Sequence, residues 1–335
     1  MSNMMRRIEL ARLPAGIPVD EDFQLRGLPL PVITEGQVLC TTQYLSLDPY
    51  MRSQISGRHL SGEIGVGDTM RGETISQVLS SRDPGFAVGD LVRCFGGWCS
   101  HSVHRASELT LLPGDFPKPS LALSTLGMPG LTAWAGLHCL AKPKAGETVV
   151  IPAATGGVGS VAGQLARRAG CRVIGIAGSD DKCRTAVSEL GYHHCINRRD
   201  SDLAAALDTH CPSGIDVYFD LVGGDMLNIA SERLAQGARV LLCGLMADYN
   251  SESRSAGPPP GLWIRARATI FGLVVYDFES RREEFLREAL TLYSQGALHS
   301  NEDISLGLET APAAFCRLMR GENTGKVIIA VAEER

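Results

Sequence analysis

The sequence predicts an α/β chain in two parts: a partly closed antiparallel β-barrel domain, and a doubly wound parallel-sheet domain inserted into it. Three observations lead there. Residues 1–124 read as short β segments between Gly, Pro and Asp turns, with little helical periodicity. From Thr125 onward strands alternate with helical patterns, as parallel sheets require. A chain of 335 residues, 44% hydrophobic and 21% charged, has a globular composition and is too long for one ordinary core.

In the first part the strand candidates are 37–42, 74–79, 90–94 and 98–104. A helix is expected over 126–140, followed by strands at 148–151, 172–176, 194–197, 216–220, 239–243 and 269–275. Six strands with helical crossovers suggest the spatial order 3-2-1-4-5-6. A long amphipathic helix is expected over 281–297. The tail then reads strand, helix, strand, ending with 326–331, and is expected to rejoin the first part. The expected domains are therefore 1–124, 125–298 and a C-terminal return over 299–335, with a cleft between the two parts. The run 269–275 would be a bare sheet edge, which a homodimer pairing this edge with its copy would cover.

The segment ETVVIPAATGGVGSVAGQLARRAGCRVIGIAGSDDK (147–182) reads strand, glycine turn, helix, strand. Gly156, Gly157 and Gly159, with Val158 among them, let the backbone approach a pyrophosphate. The helix that follows offers free N–H groups and the positive end of its dipole. An ordinary tight turn between strand and helix would need glycine too; the surrounding βαβ pattern favours a dinucleotide.

Dinucleotide folds that take NAD place an acid at the end of the second strand, about 20 residues on, to hold the ribose 2′-hydroxyl. Here that strand ends in Gly175, Ile176, Ala177, Gly178 and Ser179, without an acid. Lys182 lies just beyond it and Arg198 just after the third strand, where both could hold a 2′-phosphate, although a lone Lys or Arg is most often a solvated surface charge. NADPH is therefore the expected cofactor. Asp180 and Asp181 could instead reach a ribose hydroxyl, or simply suit the first turn of a helix capped by Ser179 or Asp180.

The formal net charge of −5 offers no basic patch for nucleic acid or anionic lipid, so neither partner is expected. The N-terminal stretch MSNMMRRIELARLP lacks a signal-peptide core, and no run approaches the ~18 apolar residues of a membrane span. The expected compartment is the cytoplasm, where ten scattered cysteines would be reduced, with Cys195 and Cys243 in apolar strand patterns. No zinc is expected. Structural zinc needs four clustered thiolates, and Cys94 with Cys99 is the only close pair. His101 and His104 are an odd step apart along a strand, so they face opposite sides.

Without a Lewis acid, hydride reduction of a carbon–carbon double bond conjugated to a carbonyl is the more accessible chemistry, since the protein need only orient the enone and hydrogen-bond the developing enolate. Tyr50 and Tyr249, on loops expected to face the cleft, are the candidate donors; each could equally be a tyrosine satisfied by a backbone carbonyl.

With these residues in view, the chain resembles the medium-chain dehydrogenase/reductase superfamily, within its zinc-free leukotriene hydroxydehydrogenase, prostaglandin reductase and curcumin reductase group. The segments that carry the likeness are LSLDPYMR (45–52), GMPGLTAW (127–134), AATGGVGSVAGQ (153–164), CRVIGIAGSDDK (171–182), DVYFDLVGG (216–224) and APAAFCRLMRGENTGK (311–326). The resemblance implies a GroES-like catalytic domain, a Rossmann NADPH domain, and NADPH-dependent reduction of α,β-unsaturated ketones and aldehydes. It carries cofactor contacts onto Gly156 to Gly159, Lys182, Cys243, Gly244 and the stretch to Tyr249, Leu273, Val274, Val275 and Asn323. Arg198 stands where relatives have a tyrosine, Leu221 replaces a common asparagine, and Ala256 and Gly257 fall where some relatives carry a substrate-side tyrosine. Water or the ribose 2′-hydroxyl could then supply the proton. A quinone reductase of the same superfamily and a crystallin-like NADPH-binding protein without turnover remain alternatives.

Overall fold

The protein is described from a computed structural model covering residues 4–331 except 252 and 254. The chain divides into two compact units, 1–124 with 302–335, and 125–301. The Ser-, Gly- and Pro-rich stretch 248–261, which the sequence reads as a loop, has Glu252 and Arg254 outside the described residues.

In the first unit β1 (Met4–Leu10) and β2 (Phe23–Pro29) form a hairpin. β3 (Gln37–Ser46) is the hub. It pairs antiparallel with both β4 (Thr74–Ser81) and β6 (His101–Arg105), while β5 (Leu91–Cys94) and β7 (Thr110–Leu111) extend the sheet beyond β4. The strand expected over 98–104 begins only at His101: Trp98 instead donates its N–H to Met70 O and packs its fully buried indole against Phe23 and Phe315. Between β3 and β4 the chain forms a short helix, α1 (Tyr50–Ile55), where a loop was expected.

The second unit opens with α2 (Met128–Trp134), which continues as a π-helical stretch over Ala135–Ala141, so the helix expected from 126 starts later and changes its winding. Then follow β8 (Thr148–Pro152), α3 (Gly157–Arg168), β9 (Arg172–Ala177), α4 (Asp180–Glu189), β10 (His194–Asn197), α5 (Leu203–His210), β11 (Ile215–Asp220), α6 (Gly224–Ser231) and β12 (Leu234–Leu242). After α7 (Pro260–Ala266) comes β13 (Thr269–Gly272). The sheet order is β10-β9-β8-β11-β12-β13, the expected 3-2-1-4-5-6, and every pairing is parallel. Every residue of β8 is buried, as a central strand covered on both faces requires.

β13 stops at Gly272, short of the expected 275. Leu273 makes one more ladder bond to Leu242 O, and Val275–Arg281 then turns as a 3₁₀ helix that leads into α8 (Arg282–Ser294). In the tail β14 (Glu302–Leu306), α9 (Ala311–Met319) and β15 (Lys326–Ala330) follow, with β15 antiparallel to β3 and parallel to β14, so the last strand completes the first unit's sheet.

Candidate active site

The carboxyl ends of the parallel strands gather most of the expected site residues. After β8 the chain turns through Ala153 at φ 51°, a left-handed conformation unusual for a residue with a side chain, and Gly156 in extended conformation caps α3. A Cβ on Gly159 would lie 2.3 Å from Ala153 O, so only glycine lets the helix start this close to the strand. α3 spans 12 residues, and its first N–H groups, those of Gly157, Val158 and Gly159, precede the helical ladder. Arg167 and Arg168 in its last turn complement the opposite pole of the dipole.

β9 ends at Ala177, followed by Gly178 and Ser179. Ser179 Oγ accepts the Lys182 N–H at 3.4 Å and caps α4. Asp180 Oδ1 accepts from Asn197 Nδ2 at 2.8 Å, and Asp181 is ion-paired with Arg184, so both nearby acids are engaged by neighbours. Arg198 continues the β10 ladder through its N–H to Ala177 O, while Arg199 donates its N–H to Asn197 Oδ1. Measured from the position a Cβ would take on Gly178, Arg199 Nε lies at 3.8 Å and Arg198 Nη2 at 4.0 Å. Two guanidiniums thus flank the acid-free strand end. Sequence reasoning named only Arg198; the signal for the second was the adjacent pair Arg198-Arg199 after the third strand.

At the ends of β11, β12 and β13, the Asp220 main-chain oxygen accepts from Cys243 N at 3.0 Å and Gly244 N at 3.2 Å. Its carboxylate is fully buried, with Oδ1 accepting from Gly223 N at 2.9 Å and Val222 N at 3.1 Å and Oδ2 without a partner among the described residues. Burial pushes this acid up to about 6, with the two N–H groups opposing. Sequence reasoning passed over Asp220. Cys243, expected in the core, is half-buried; burial first and Asp220 second push its thiol up to about 12. Leu273 is buried beside Leu242, with half-buried Val274 and Val275 next in the chain. Tyr249 Oη accepts the Leu245 N–H at 3.4 Å, and burial raises its pKa, so the phenol keeps its proton.

Tyr50 and Asn323 belong to the first unit. Tyr50 opens α1, accepts Ser53 Oγ on its carbonyl at 2.7 Å, and stacks its ring on His59. Asn323 Nδ2 donates to Gly325 O at 2.7 Å, closing the turn before β15. Lys326, almost fully buried, donates to Asp48 Oδ1 at 2.7 Å and Leu47 O at 2.6 Å, and Asp48 also bonds Ser46 Oγ. That buried pair ties the segment before Tyr50 to the last strand.

Of the cysteines and histidines considered as zinc ligands, three have hydroxyl partners: Cys94 Sγ with Thr74 Oγ1 at 3.2 Å, His104 with Ser102 Oγ at 2.8 Å, and His101 with Ser100 Oγ at 2.9 Å. Among the described residues no three His, Cys, Asp or Glu are grouped as a metal site. All ten cysteines are free.

Two family models match the chain, one described as the N-terminal domain of oxidoreductase over residues 6–112 and one as zinc-binding dehydrogenase over residues 157–294. The chain is 41% identical to the NADPH-dependent curcumin reductase of Escherichia coli (strain K12), covering 98% of this chain and 97% of that protein. It is 38% identical to prostaglandin reductase 1 of Bos taurus, covering 94% and 95%. The crystal structure of CurA in complex with NADPH from Vibrio vulnificus superposes with a TM-score of 0.93 at 38% identity, over 98% of this chain and 100% of that one. With relatives of this identity matched along nearly their whole length, the chain belongs to the medium-chain dehydrogenase/reductase superfamily, in its zinc-free curcumin reductase and prostaglandin reductase group.

Proposed function

We propose that the chain reduces the carbon–carbon double bond of α,β-unsaturated ketones and aldehydes with NADPH. The observation that carries the cofactor choice is the end of β9, where the acid an NAD site needs is missing, Asp180 and Asp181 are held by neighbours, and two arginines flank Gly178. The glycine turn and the first N–H groups of α3 fit a pyrophosphate. The relatives' names, NADPH-dependent curcumin reductase and prostaglandin reductase 1, support both cofactor and substrate class.

Lys182, Arg198 and Arg199 hold the 2′-phosphate in this reading, and Gly156, Gly157, Val158 and Gly159 the pyrophosphate. Cys243, Gly244, Leu273, Val274, Val275 and Asn323 complete the cofactor contacts. When bound, the reduced nicotinamide supplies the hydride that the substrate's β-carbon accepts. Tyr50 or Tyr249 donates a hydrogen bond to the carbonyl oxygen as negative charge develops there. The α-carbon then takes a proton from that phenol, water or a ribose hydroxyl. Tyr249 is suited to donation because its oxygen accepts the Leu245 N–H and its own proton is retained. Residues 1–124 with the tail serve as the catalytic domain and 125–298 as the nucleotide domain. A homodimer covers the β13 edge, and ten free thiols fit a cytoplasmic setting.

The test is loss of NADPH absorbance with 2-alkenals, enones and quinones in turn. Turnover of alkenals or enones is the expected result. Quinone turnover alone would make the protein a quinone reductase, and tight NADPH binding without oxidation a binding protein.

A further inference from the structure

We propose that His59 is a positioning residue for Tyr50, holding the phenol ring through a stack whose own imidazole is locked by Gln54 and Ser61; this rests on the reading of the chain as an enone reductase that uses Tyr50. Tyr50 and Gln54 lie one turn apart on the same face of α1. After α1 the chain folds back over it. Arg58 N donates to Ser53 O at 2.8 Å, and Gly57 N and Ile64 N both reach Gln54 O at 3.1 Å, so the segment is tied to the helix at both ends. Arg71 holds its outer side through Ser61 O at 2.8 Å and Glu63 O at 2.9 Å.

Within this clip the buried Gln54 donates Nε2–H to Ser61 Oγ at 2.7 Å, and Ser61 Oγ lies 2.7 Å from His59 Nδ1. The Ser61 backbone N–H reaches the same nitrogen at 3.1 Å. A backbone N–H can only donate, so Nδ1 is an acceptor and the imidazole proton sits on Nε2. Tautomer and ring plane are therefore fixed by partners on the chain itself. The fixed ring lies 4.8 Å from the Tyr50 ring, centroid to centroid, at an interplanar angle of 25°. Burial lowers the His59 pKa, which favours the neutral form the clip needs. A phenol held in one orientation loses no rotamer freedom when charge develops on the substrate oxygen, which is where positioning speeds a reaction.

The experiment uses the full chain with NADPH and a 2-alkenal, comparing wild type with His59→Ala, His59→Phe, Tyr50→Phe and the Tyr50→Phe/His59→Ala double variant. His59→Ala is expected to lower kcat about tenfold while KM for NADPH stays unchanged. His59→Phe, which keeps a stacking ring, is expected to restore most of that loss. The double variant should be no slower than Tyr50→Phe alone, because both act through one ring. Independently of turnover, the His59 ring-proton resonances should shift in Tyr50→Leu as the ring current is removed. An unchanged kcat in His59→Ala, fully multiplicative effects in the double variant, or unmoved His59 resonances would each overturn the assignment. Absence of alkenal turnover in the wild type would overturn the functional reading, and this assignment with it.

Discussion

At Gly178 the residue that is missing matters as much as those present. An acid at the end of β9 would repel a 2′-phosphate; in its place stand a glycine and two arginines within 4.0 Å of where its Cβ would be. Both guanidiniums are exposed, so solvent screening limits each contact to about 1 kcal/mol, or about fivefold in affinity. Arg198→Ala and Arg199→Ala are each expected to lower the NADPH to NADH ratio of kcat/KM by that factor, and the double variant by their product. Steady-state kinetics with both nucleotides check this, and an unchanged ratio would remove the arginines from the pocket. Asp220 gives a second residue-scale prediction. Its folded pKa of about 6 lies above the ordinary 3.8, so between these values the folded state holds more protons than the unfolded one, and stability falls as pH rises through that window. Above pH 6 the buried charge costs about 3 kcal/mol. Asp220→Asn keeps the Oδ1 acceptor for Val222 and Gly223 and removes the charge. Its Tm relative to wild type should therefore climb from about pH 4 to pH 6 and stay level above. Taking the difference cancels the half-buried His101 and the buried His104, whose lowered pKa values act in the opposite direction. The missing acid at Gly178 was legible in the sequence because it depends only on chain distance from a glycine turn. Asp220 was not, because nothing local distinguishes a buried aspartate at a strand end from an exposed one.

Among the elements, α3 and its turn follow most directly from local chemistry. Gly159→Ala would drive a methyl group into Ala153 O at 2.3 Å, and backbone cannot give way as a flexible side chain can. A loss of about 1–3 kcal/mol is expected, with weaker NADPH binding, measured by thermal melts and by titration of the nucleotide. Gly163 is equally tight, but against a side chain, the Tyr192 ring, which is held in place as its hydroxyl donates to Gly159 O at 2.7 Å. Element boundaries were less legible. Residues 126–140 carry one helical pattern, yet the winding changes to π after Trp134, and the apolar run through Val275 leaves the sheet at Gly272. Hydrophobic period registers which face is buried, and a shift in winding or the end of a ladder changes that face little. The sequence reads Tyr50 as a loop residue for a related reason: α1 is only six residues long, too short for a periodic signal.

For the whole molecule, the tail decides how the first unit is completed. Lys326 and Asp48 stand 278 residues apart in sequence and form an almost fully buried ion pair with further bonds to Leu47 O and Ser46 Oγ. Lys326→Met would leave the Asp48 carboxylate buried without its partner, a loss of about 3–5 kcal/mol. A fall in Tm of roughly 10 °C is the expected result, and a variant melting with wild type would mean that water reaches Asp48. The β13 edge predicts a two-copy mass by light scattering, and a monomer would overturn the proposed dimer. The strand order of the parallel sheet, the glycine turn and the acid-free end of β9 are written in the amino-acid order alone, because hydrophobic period, turn residues and short chain distances are local quantities. It took packing to bring Arg199 beside Arg198 at Gly178, to bury Asp220 with one oxygen unpaired among the described residues, to clasp Lys326 onto Asp48 and to lay His59 on Tyr50. These are contacts and burials created by packing, and packing is fixed by the whole chain at once.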